Sequence, residues 1–182
     1  NSVTITDTQG QAQDYDGVIF ATHSDEALSL LTDPTDQEAS LLGDLRYQSN
    51  QMVLHTDTRF MPKRKRAWSS WVYLSEQEKG LDQRISLSYW MNNLQSLATD
   101  TQYFVTINPG TWPKEETIID QHCFHHPVFD KKAIDAQAKM AHIQGLQNTY
   151  FCGAYLRYGF HEDGILSAVN VAQKLGVRPP WQ

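Results

Sequence analysis

Five strand-like runs between residues 50 and 126 constrain the fold of this chain more than any other feature. They are rich in β-branched and aromatic residues and are bounded by Pro, Gly, Asn or charged turns: QMVLHTDT, AWSSWVYLS, RISLSYWMN, YFVTIN and ETIIDQHCFHH. Parallel strands need long crossover connections, and none here clearly holds a crossover helix, although NNLQSLATD could form a helical turn or two. The pattern therefore predicts a mostly antiparallel sheet.

Strands and helices precede this region. SVTITDTQGQAQDYDGVIFAT predicts two strands around a polar turn, and the second strand, residues 17–21, is continuously apolar, as in a strand covered on both faces. A short helix is predicted next, with Ser24 as its N-cap. Residues 35–46 predict another helix, which begins with a capping-box pattern of Thr35 and Glu38.

The end of the chain again predicts alternating helices and strands. A helix is expected from Lys131 to about Ile143, with Gly145 as its stop, followed by the short apolar strand NTYFCGA. The last helix, Asp163 to Leu175, is apolar almost all round, which predicts that it is buried.

An economical architecture treats the middle of the chain as an insertion. We expect an α+β fold in which residues 24–146 hold the antiparallel sheet, and residues 1–23 and 147–182 are strand–helix pieces of one Rossmann-type nucleotide-binding domain. The chain starts at Asn1 rather than Met and enters a strand at once, so we expect a fragment of a longer protein.

Charge and cysteine content narrow the class of protein. A formal charge of −6 argues against a nucleic-acid or anionic-membrane partner, and the basic run at 63–66 is interpreted as a surface loop beside Pro62. Two cysteines, Cys123 and Cys152, form no disulfide framework and fit a reducing compartment. Without a membrane-length apolar run or a signal-peptide pattern at the start, we expect a cytoplasmic location with no membrane span.

The segment HCFHH invites a metal hypothesis. In a strand, His122 and His126 share one face while Cys123 and His125 share the other, so no face gathers three ligands. We therefore predict no metal site. A hydrolase in which His161 joins these histidines stays as a third, weaker alternative.

The segment RYGFHEDGILSA, residues 157–168, holds the strongest ligand signal. Glycines allow close backbone approach, and a helix start after a strand is where α/β proteins place ligands. A phosphate, a carboxylate, a polar ring, or plain capping by Glu162 or Asp163 could each explain the pattern.

The terminal segment YFCGAYLRYGFHEDGILSAVNVAQKLG resembles the C-terminal FAD-binding segment of the flavin-containing amine oxidase superfamily. Within that superfamily it is most similar to the bacterial predicted NAD/FAD-binding, amine oxidase-like proteins. YDGVIFATHSDEALSLL is similar to their ATG-type segment, and MPKRKRAWSSWVY, LSYWMNNLQ, YFVTINP and HHPVFDKKAIDAQ also resemble that subfamily.

This resemblance implies an FAD-dependent oxidoreductase with 24–146 as its substrate-binding domain and the two ends as the C-terminal part of the FAD-binding domain. It implies amides of Gly164 and Ile165 near the pyrimidine edge of the flavin, where a helix N-terminus favours the reduced ring. The remaining implied cofactor residues are Gly153 and Ala154 by the pyrophosphate–ribityl stretch, Phe160, His161, Glu162 and Asp163 around the ring, and Ala21 and Thr22 as the ATG-like pair.

Three departures qualify what the resemblance implies. His23 replaces the usual glycine of the ATG-like segment, and Ala154-Tyr155 stand where many relatives have an acidic residue after the strand. The N-terminal GxGxxG motif is missing, so we expect weak or no FAD binding by this chain, and the N-terminal remainder of the same chain as a partner.

Aromatic residues are the candidate substrate contacts. Trp71, Tyr89 and Trp90 lie on two adjacent predicted strands, with Trp71 and Tyr73 on one face and Tyr89 opposed to Trp90. Most aromatic residues of these strands are expected in the core or on the sheet surface, and one or two are expected to line a small-molecule site. The alternative is a non-catalytic binding module with an aromatic-lined antiparallel sheet.

Overall fold

The computed structural model of the protein describes residues 2–76 and 84–181. Within these residues there are nine strands and five α-helices, joined by turns and short 3₁₀ segments. The strands are β1 (Val3–Thr6), β2 (Ala12–Tyr15), β3 (Val18–Phe20), β4 (Tyr47–His55), β5 (Trp71–Glu76), β6 (Arg84–Trp90), β7 (Phe104–Ile107), β8 (Ile118–Pro127) and β9 (Thr149–Phe151). The helices are α1 (Ser24–Leu30), α2 (Asp36–Asp44), α3 (Met91–Leu94), α4 (Lys131–Gln137) and α5 (His161–Lys174).

The predicted α+β class is confirmed at the level of mixed helices and strands with an antiparallel sheet. Each of the five central runs forms a strand, and the sheet order is β5-β6-β7-β4-β8. β5 with β6, β6 with β7 and β4 with β7 pair antiparallel. The segment after β6 forms only the one-turn helix α3, as its short connection requires.

The helices at the start of the chain depend on local capping. Thr35 Oγ1 accepts a hydrogen bond from the Glu38 N–H at 3.2 Å, and the Glu38 carboxylate accepts one from the Thr35 N–H at 2.9 Å, so the predicted capping box is confirmed. The predicted N-cap at Ser24 is wrong. His23 is the N-cap of α1, and Ser24 is buried in the first turn, where its hydroxyl donates to the Leu45 carbonyl at 2.8 Å.

The chain forms two compact units. The first contains Asn1–Gln48 and Pro127–Gln182, and the second contains Ser49–His126. These bounds differ from the predicted functional division at residues 24–146 because α1, α2 and α4 share one core. The functional division itself stays a prediction.

The core of the first unit lies among α1, α2, α4 and the strand β9. Its buried members are apolar or aromatic: Ala27, Leu41, Leu42, Leu45, Ala133, Ala136, Met140, Ile143, Phe151 and Tyr155. Phe20 of β3 stacks on Phe151 of β9 with ring centroids 5.6 Å apart. This packing fixes the end of the parallel pair β3–β9 against the helices.

Two expectations about burial in this unit are wrong. Residues 17–21 are not covered on both faces, since Ile19 is 50% exposed, and the last helix is not buried all round, since Ile165 is 54% exposed. The reason is that β3 and β9 form a sheet of only two strands among the described residues, and so small a sheet leaves apolar side chains of its strands and of α5 uncovered.

The sheet of the second unit has two unlike faces. One is buried and combines Phe104 and Val53 with a polar row of His55, Ser88 and Thr106. The other, which we call the open sheet face, is apolar and half-buried or exposed; the strand register assigns to it Met52, Leu54, Trp71, Tyr73, Ile85, Leu87, Tyr89, Val105 and Ile107.

Candidate functional site

A cavity of about 380 Å³ lies at the carboxyl ends of β3 and β9, in the first unit. The two strands run parallel with Phe20 opposite Phe151, and the Cys152 N–H donates to the Phe20 carbonyl at 2.8 Å. The chain leaves both strands at this edge, as ligand-binding loops of α/β sheets do. We call this cavity the edge pocket; it is lined by Ala21, Thr22, His23, Glu26, Tyr47, Pro127, Gly153, Ala154, Tyr155 and Gly159.

The edge pocket brings together four residues that the sequence selected. Ala21 and Thr22 follow β3, and Gly153 and Ala154 follow β9, about 130 positions later in the chain. Residues 160–165 do not line the pocket. Phe160, which directly follows Gly159, is the N-cap of the helix α5, and the helix itself begins at His161.

Packing within the chain explains why residue 153 is glycine. A Cβ atom at this position would lie 2.4 Å from Cε1 of Tyr155, a distance that real contacts do not reach. Its backbone is extended, so conformational freedom is not the reason. Gly153 is therefore required by the ring of Tyr155, and close approach of a ligand is not needed to explain it.

Gly164 differs from Gly153. A Cβ here would meet Ala154 at 3.8 and 3.9 Å, which is ordinary van der Waals contact. Glycine in a helix costs stability relative to alanine. Contacts among the described residues thus leave room for a methyl group at Gly164 and give no packing reason for glycine there.

The start of α5 is capped by Asp163. Its buried carboxylate accepts hydrogen bonds from the N–H groups of Phe160 at 3.0 Å and Tyr158 at 3.2 Å, and lies 3.6 Å from the Arg157 guanidinium. Of the two capping candidates in the sequence, Asp163 takes this part, whereas the side chain of Glu162 is exposed.

Backbone donors remain at this helix start. The N–H groups of Asp163 and Gly164 both donate to the Phe160 carbonyl. Within the described part of the chain, no hydrogen bond uses the N–H of His161 or Glu162. The unused donors therefore lie one turn before Gly164 and Ile165, while Ile165 carries an exposed side chain.

Six lining residues were missed as pocket candidates by the sequence analysis: His23, Glu26, Tyr47, Pro127, Tyr155 and Gly159. The imidazole of His23 stacks on the ring of Tyr47 with centroids 4.2 Å apart, and the N–H of His23 donates to the Glu26 carboxylate at 3.1 Å. His23 and Tyr155 both stood out as departures from the family pattern, which was the available signal. Nothing in the sequence relates Tyr47, at the start of β4, to either loop.

The hydroxyl of Tyr155 has an unusual environment. Tyr155 is 3% exposed, and its hydroxyl has no hydrogen-bond partner among the described residues. Burial raises its pKa well above the ordinary value of 10, and the nearby Tyr47 and Cys152 add to that shift. The group is a neutral donor that its own chain does not use.

The three candidate substrate residues of the second unit divide between two faces. Trp71 and Tyr89 lie opposite each other on the open sheet face. Burial, with a further effect of the neighbouring Tyr73, raises the pKa of Tyr89. Trp90 points to the other face, where its ring meets Trp68 edge-on at 5.2 Å and its Nε1–H donates to Gln102 at 2.9 Å; this packing leaves Trp90 no place on the open sheet face.

The histidines of β8 have protein partners. His125 is hydrogen-bonded to Ser49 at 3.0 Å and His126 to Asn50 at 2.8 Å, while His122 contacts Asp120 at 2.8 Å. Among residues 2–76 and 84–181, no group of three or more His, Cys, Asp or Glu side chains could hold a metal ion.

Comparison with known proteins supports the fold alone. No protein-family model and no curated protein matches the chain. Among solved structures it is similar to the CLA-producing fatty acid isomerase from P. acnes, with a TM-score of 0.60 and 14% sequence identity over 97% of this chain and 45% of that one. The chain thus spans less than half the length of that structure. Across the described residues, no helix has the length and apolar character needed to cross a membrane.

Proposed function

We propose that this chain is the C-terminal portion of an FAD-dependent oxidoreductase, amine oxidase-like, that acts on an unidentified small molecule. The observation that carries the proposal is the edge pocket, which joins the ATG-like pair Ala21 and Thr22 to Gly153 and Ala154 at the carboxyl ends of parallel strands. Sequence resemblance selected these residues independently of their position in space.

The residues present fit a flavin cofactor in two respects. The space at Gly164 is a place where a flat ring could approach the helix, since the chain itself gives no packing reason for glycine there. The N–H groups of His161 and Glu162 have no acceptor among the described residues and lie at a helix N-terminus, which favours negative charge. The Asp163 carboxylate already accepts hydrogen bonds from the N–H groups of Tyr158 and Phe160, so it would stabilise the loop at the site rather than bind the cofactor.

FAD, when bound, would supply the redox chemistry, taking a hydride equivalent from a C–N, C–H or C–C bond. The residues of this chain would bind and orient the cofactor. Gly153 and Ala154 would lie by the pyrophosphate–ribityl stretch, Phe160 and His161 beside the ring, and the first turn of α5 at the pyrimidine edge. No acidic residue comes directly after β9, where Cys152, Gly153 and Ala154 stand, so the ribityl hydroxyls would need another partner.

The proposed partner is the N-terminal remainder of the same polypeptide. A two-stranded parallel sheet is unusual because parallel strands are normally covered on both faces. Ile19 and Ile165 leave apolar surface at this sheet and helix, where further strands and helices of a Rossmann-type domain would pack. Without them we expect weak or no FAD binding. Both cysteines are free, in keeping with the proposed cytoplasmic location, and we propose no nucleic-acid partner.

One observation favours a second candidate, the non-catalytic binding module. The open sheet face places Trp71 and Tyr73 side by side on β5, and Tyr73 is 72% exposed. Exposed aromatic groups of this kind mark binding surfaces. The similar solved structure is by its title an enzyme acting on a fatty acid, and an apolar substrate would suit this face as well as a module's ligand would.

A flavin absorbance spectrum tests the proposal. Protein expressed from the complete gene and the 182-residue chain are purified in parallel, before and after addition of FAD. Bands near roughly 370 and 450 nm in the longer protein only are the expected result. A longer protein without flavin, even after FAD is added, would refute the proposal and favour the binding module.

A matched pair of variants sharpens the test. Gly164→Ala and Gly43→Ala each add a methyl group to a helix where the chain leaves room for it. In protein expressed from the complete gene, we expect Gly164→Ala to lose flavin and Gly43→Ala to retain it. Gly43 is far from the edge pocket in sequence and does not line it. Equal flavin content in both variants would show that no cofactor approaches α5 at Gly164.

A further inference from the structure

The buried hydroxyl of Tyr155 has no role in the contacts described so far. It is enclosed by protein and unpaired among the described residues. A buried hydroxyl without a hydrogen bond destabilises the fold, so its retention in a pocket wall calls for a compensating role.

The ring of Tyr155 is held where it is. Gly153 leaves the space that the ring occupies, since a Cβ there would overlap Cε1. The backbone carbonyl of Tyr155 accepts a hydrogen bond from the Gln137 side-chain amide at 2.8 Å. The ring is enclosed by protein, and its hydroxyl has no hydrogen-bond partner among the described residues.

Tyr155 shares the wall of the edge pocket with Tyr47. Tyr47 is half-buried, and its hydroxyl accepts a long hydrogen bond, 3.4 Å, from the Ser24 N–H and is also hydrogen-bonded to the Ser24 side chain. A ligand oxygen that reaches the Tyr155 hydroxyl through this wall would meet a group without a partner among the described residues. The ligand atom needed there is a hydrogen-bond acceptor, because the phenol is neutral and has a proton to donate.

We propose that the Tyr155 hydroxyl donates a hydrogen bond to an oxygen of the ligand in the edge pocket. The inference rests on the proposed function, in which that oxygen belongs to the ribityl–pyrophosphate stretch of FAD. Tyr155 then takes the place of the acidic residue that the chain lacks after β9. Because the group is unpaired without the ligand, it adds to the affinity and nothing to the stability of the free protein.

The experiment compares Tyr155→Phe with Tyr158→Phe in protein expressed from the complete gene. Both variants remove one phenolic oxygen from the same loop, but Tyr158 is exposed and does not line the edge pocket. FAD affinity is measured by flavin fluorescence titration, and thermal unfolding is followed with and without FAD.

We expect Tyr155→Phe to unfold at the same or a higher temperature than the wild type without FAD, and to bind FAD about five- to tenfold more weakly. Tyr158→Phe should match the wild type in both measurements. Full FAD affinity in Tyr155→Phe would overturn the inference and leave the flavin proposal standing. A lower unfolding temperature of the FAD-free Tyr155→Phe protein would overturn it too, since the hydroxyl would then have a partner in the fold. A wild-type protein that binds no FAD would refute the proposed function and the inference with it.

Discussion

The buried histidine of the second unit should make its stability depend on pH. His55 is fully buried, its Nε2 is 2.7 Å from Thr106 Oγ1, and its Nδ1 accepts a hydrogen bond from the Asp57 N–H at 3.1 Å. With Nδ1 accepting, Nε2 carries the proton and donates to Thr106, so the ring is neutral. Burial lowers the pKa of His55 from 6.5 to about 4, against the smaller opposing effect of the Asp57 carboxylate.

The sign and size of the effect follow from this pKa. Folding favours the neutral ring, so its contribution is fully present above the unfolded pKa of 6.5 and is lost as the pH falls toward about 4. Each pH unit between these values corresponds to about 1.4 kcal/mol, which gives a loss of about 2 kcal/mol by pH 5 and about 3 kcal/mol by pH 4.

Urea unfolding of the wild type and of His55→Gln between pH 7.5 and 4 measures this loss. Tryptophan fluorescence reports mainly on the second unit, which holds Trp68, Trp71, Trp90 and Trp112. At pH 7.5 the variant should be the less stable protein, because glutamine cannot replace both hydrogen bonds of the ring. The gap should narrow by about 3 kcal/mol at pH 4, since only the wild type loses the contribution of a neutral histidine.

His122→Gln is the control for this experiment. His122 is exposed beside Asp120, so its replacement removes no buried imidazole, and the stability of His122→Gln relative to the wild type should change far less between pH 7.5 and 4 than that of His55→Gln. If His55→Gln shows the same pH dependence as the wild type, the argument that burial keeps His55 neutral is refuted.

Three further predictions concern packing, charge and surface. Gly153→Ala should lower the free energy of unfolding by about 1–3 kcal/mol, because its methyl group overlaps the ring of Tyr155. Gly164→Ala should leave the free energy of unfolding unchanged or raise it by up to about 1 kcal/mol, because there is room for a methyl group at that helix position. Urea titration measures both variants. Asp57→Asn should destabilise the second unit by about 2–3 kcal/mol, because the buried carboxylate accepts hydrogen bonds from the Arg59 guanidinium and from two backbone N–H groups. Thermal unfolding at pH 7 measures this loss of stability. Tyr73→Ser should weaken binding of a hydrophobic dye while changing stability by less than about 0.5 kcal/mol, as measured by dye fluorescence and urea unfolding.

The controls for these predictions come from exposed positions. Asp120→Asn removes a carboxylate whose contact with His122 lies at the surface, so a loss as large as that of Asp57→Asn would contradict the argument from burial. Equal stability of Gly153→Ala and Gly164→Ala would contradict the assigned role of Gly153. Unchanged dye binding by Tyr73→Ser would show that the open sheet face is not the dye's site.

The sequence predicted the second unit well because strand formation there depends on local pattern. Each run of β-branched and aromatic residues became a strand, and the short connections between them left antiparallel pairing as the available arrangement. The same pattern did not show which face would be covered. The buried face holds the polar His55, Ser88 and Thr106, while many apolar side chains lie on the open face.

In the first unit, local signals predicted elements but not their surroundings. The Thr35–Glu38 capping box and the start of the last helix near Asp163 were readable because they depend on neighbours within a few residues. The apolar character of Ile19 and Ile165 predicted that both side chains are buried. That prediction was wrong, because burial depends on how many strands form the sheet.

The sequence by itself therefore predicted the elements and the antiparallel sheet, and the family resemblance named ten cofactor residues, of which four line the edge pocket: Ala21, Thr22, Gly153 and Ala154. Only the tertiary structure decided that these residues meet at one edge, that Gly153 is needed by Tyr155, and that the hydroxyl of Tyr155 lacks a partner. The physical reason is the distance along the sequence between the residues that interact. Helix caps and strand alternation are set by residues a few positions apart, whereas a pocket wall and an unpaired buried hydroxyl depend on groups that are distant in sequence and meet only in the folded chain.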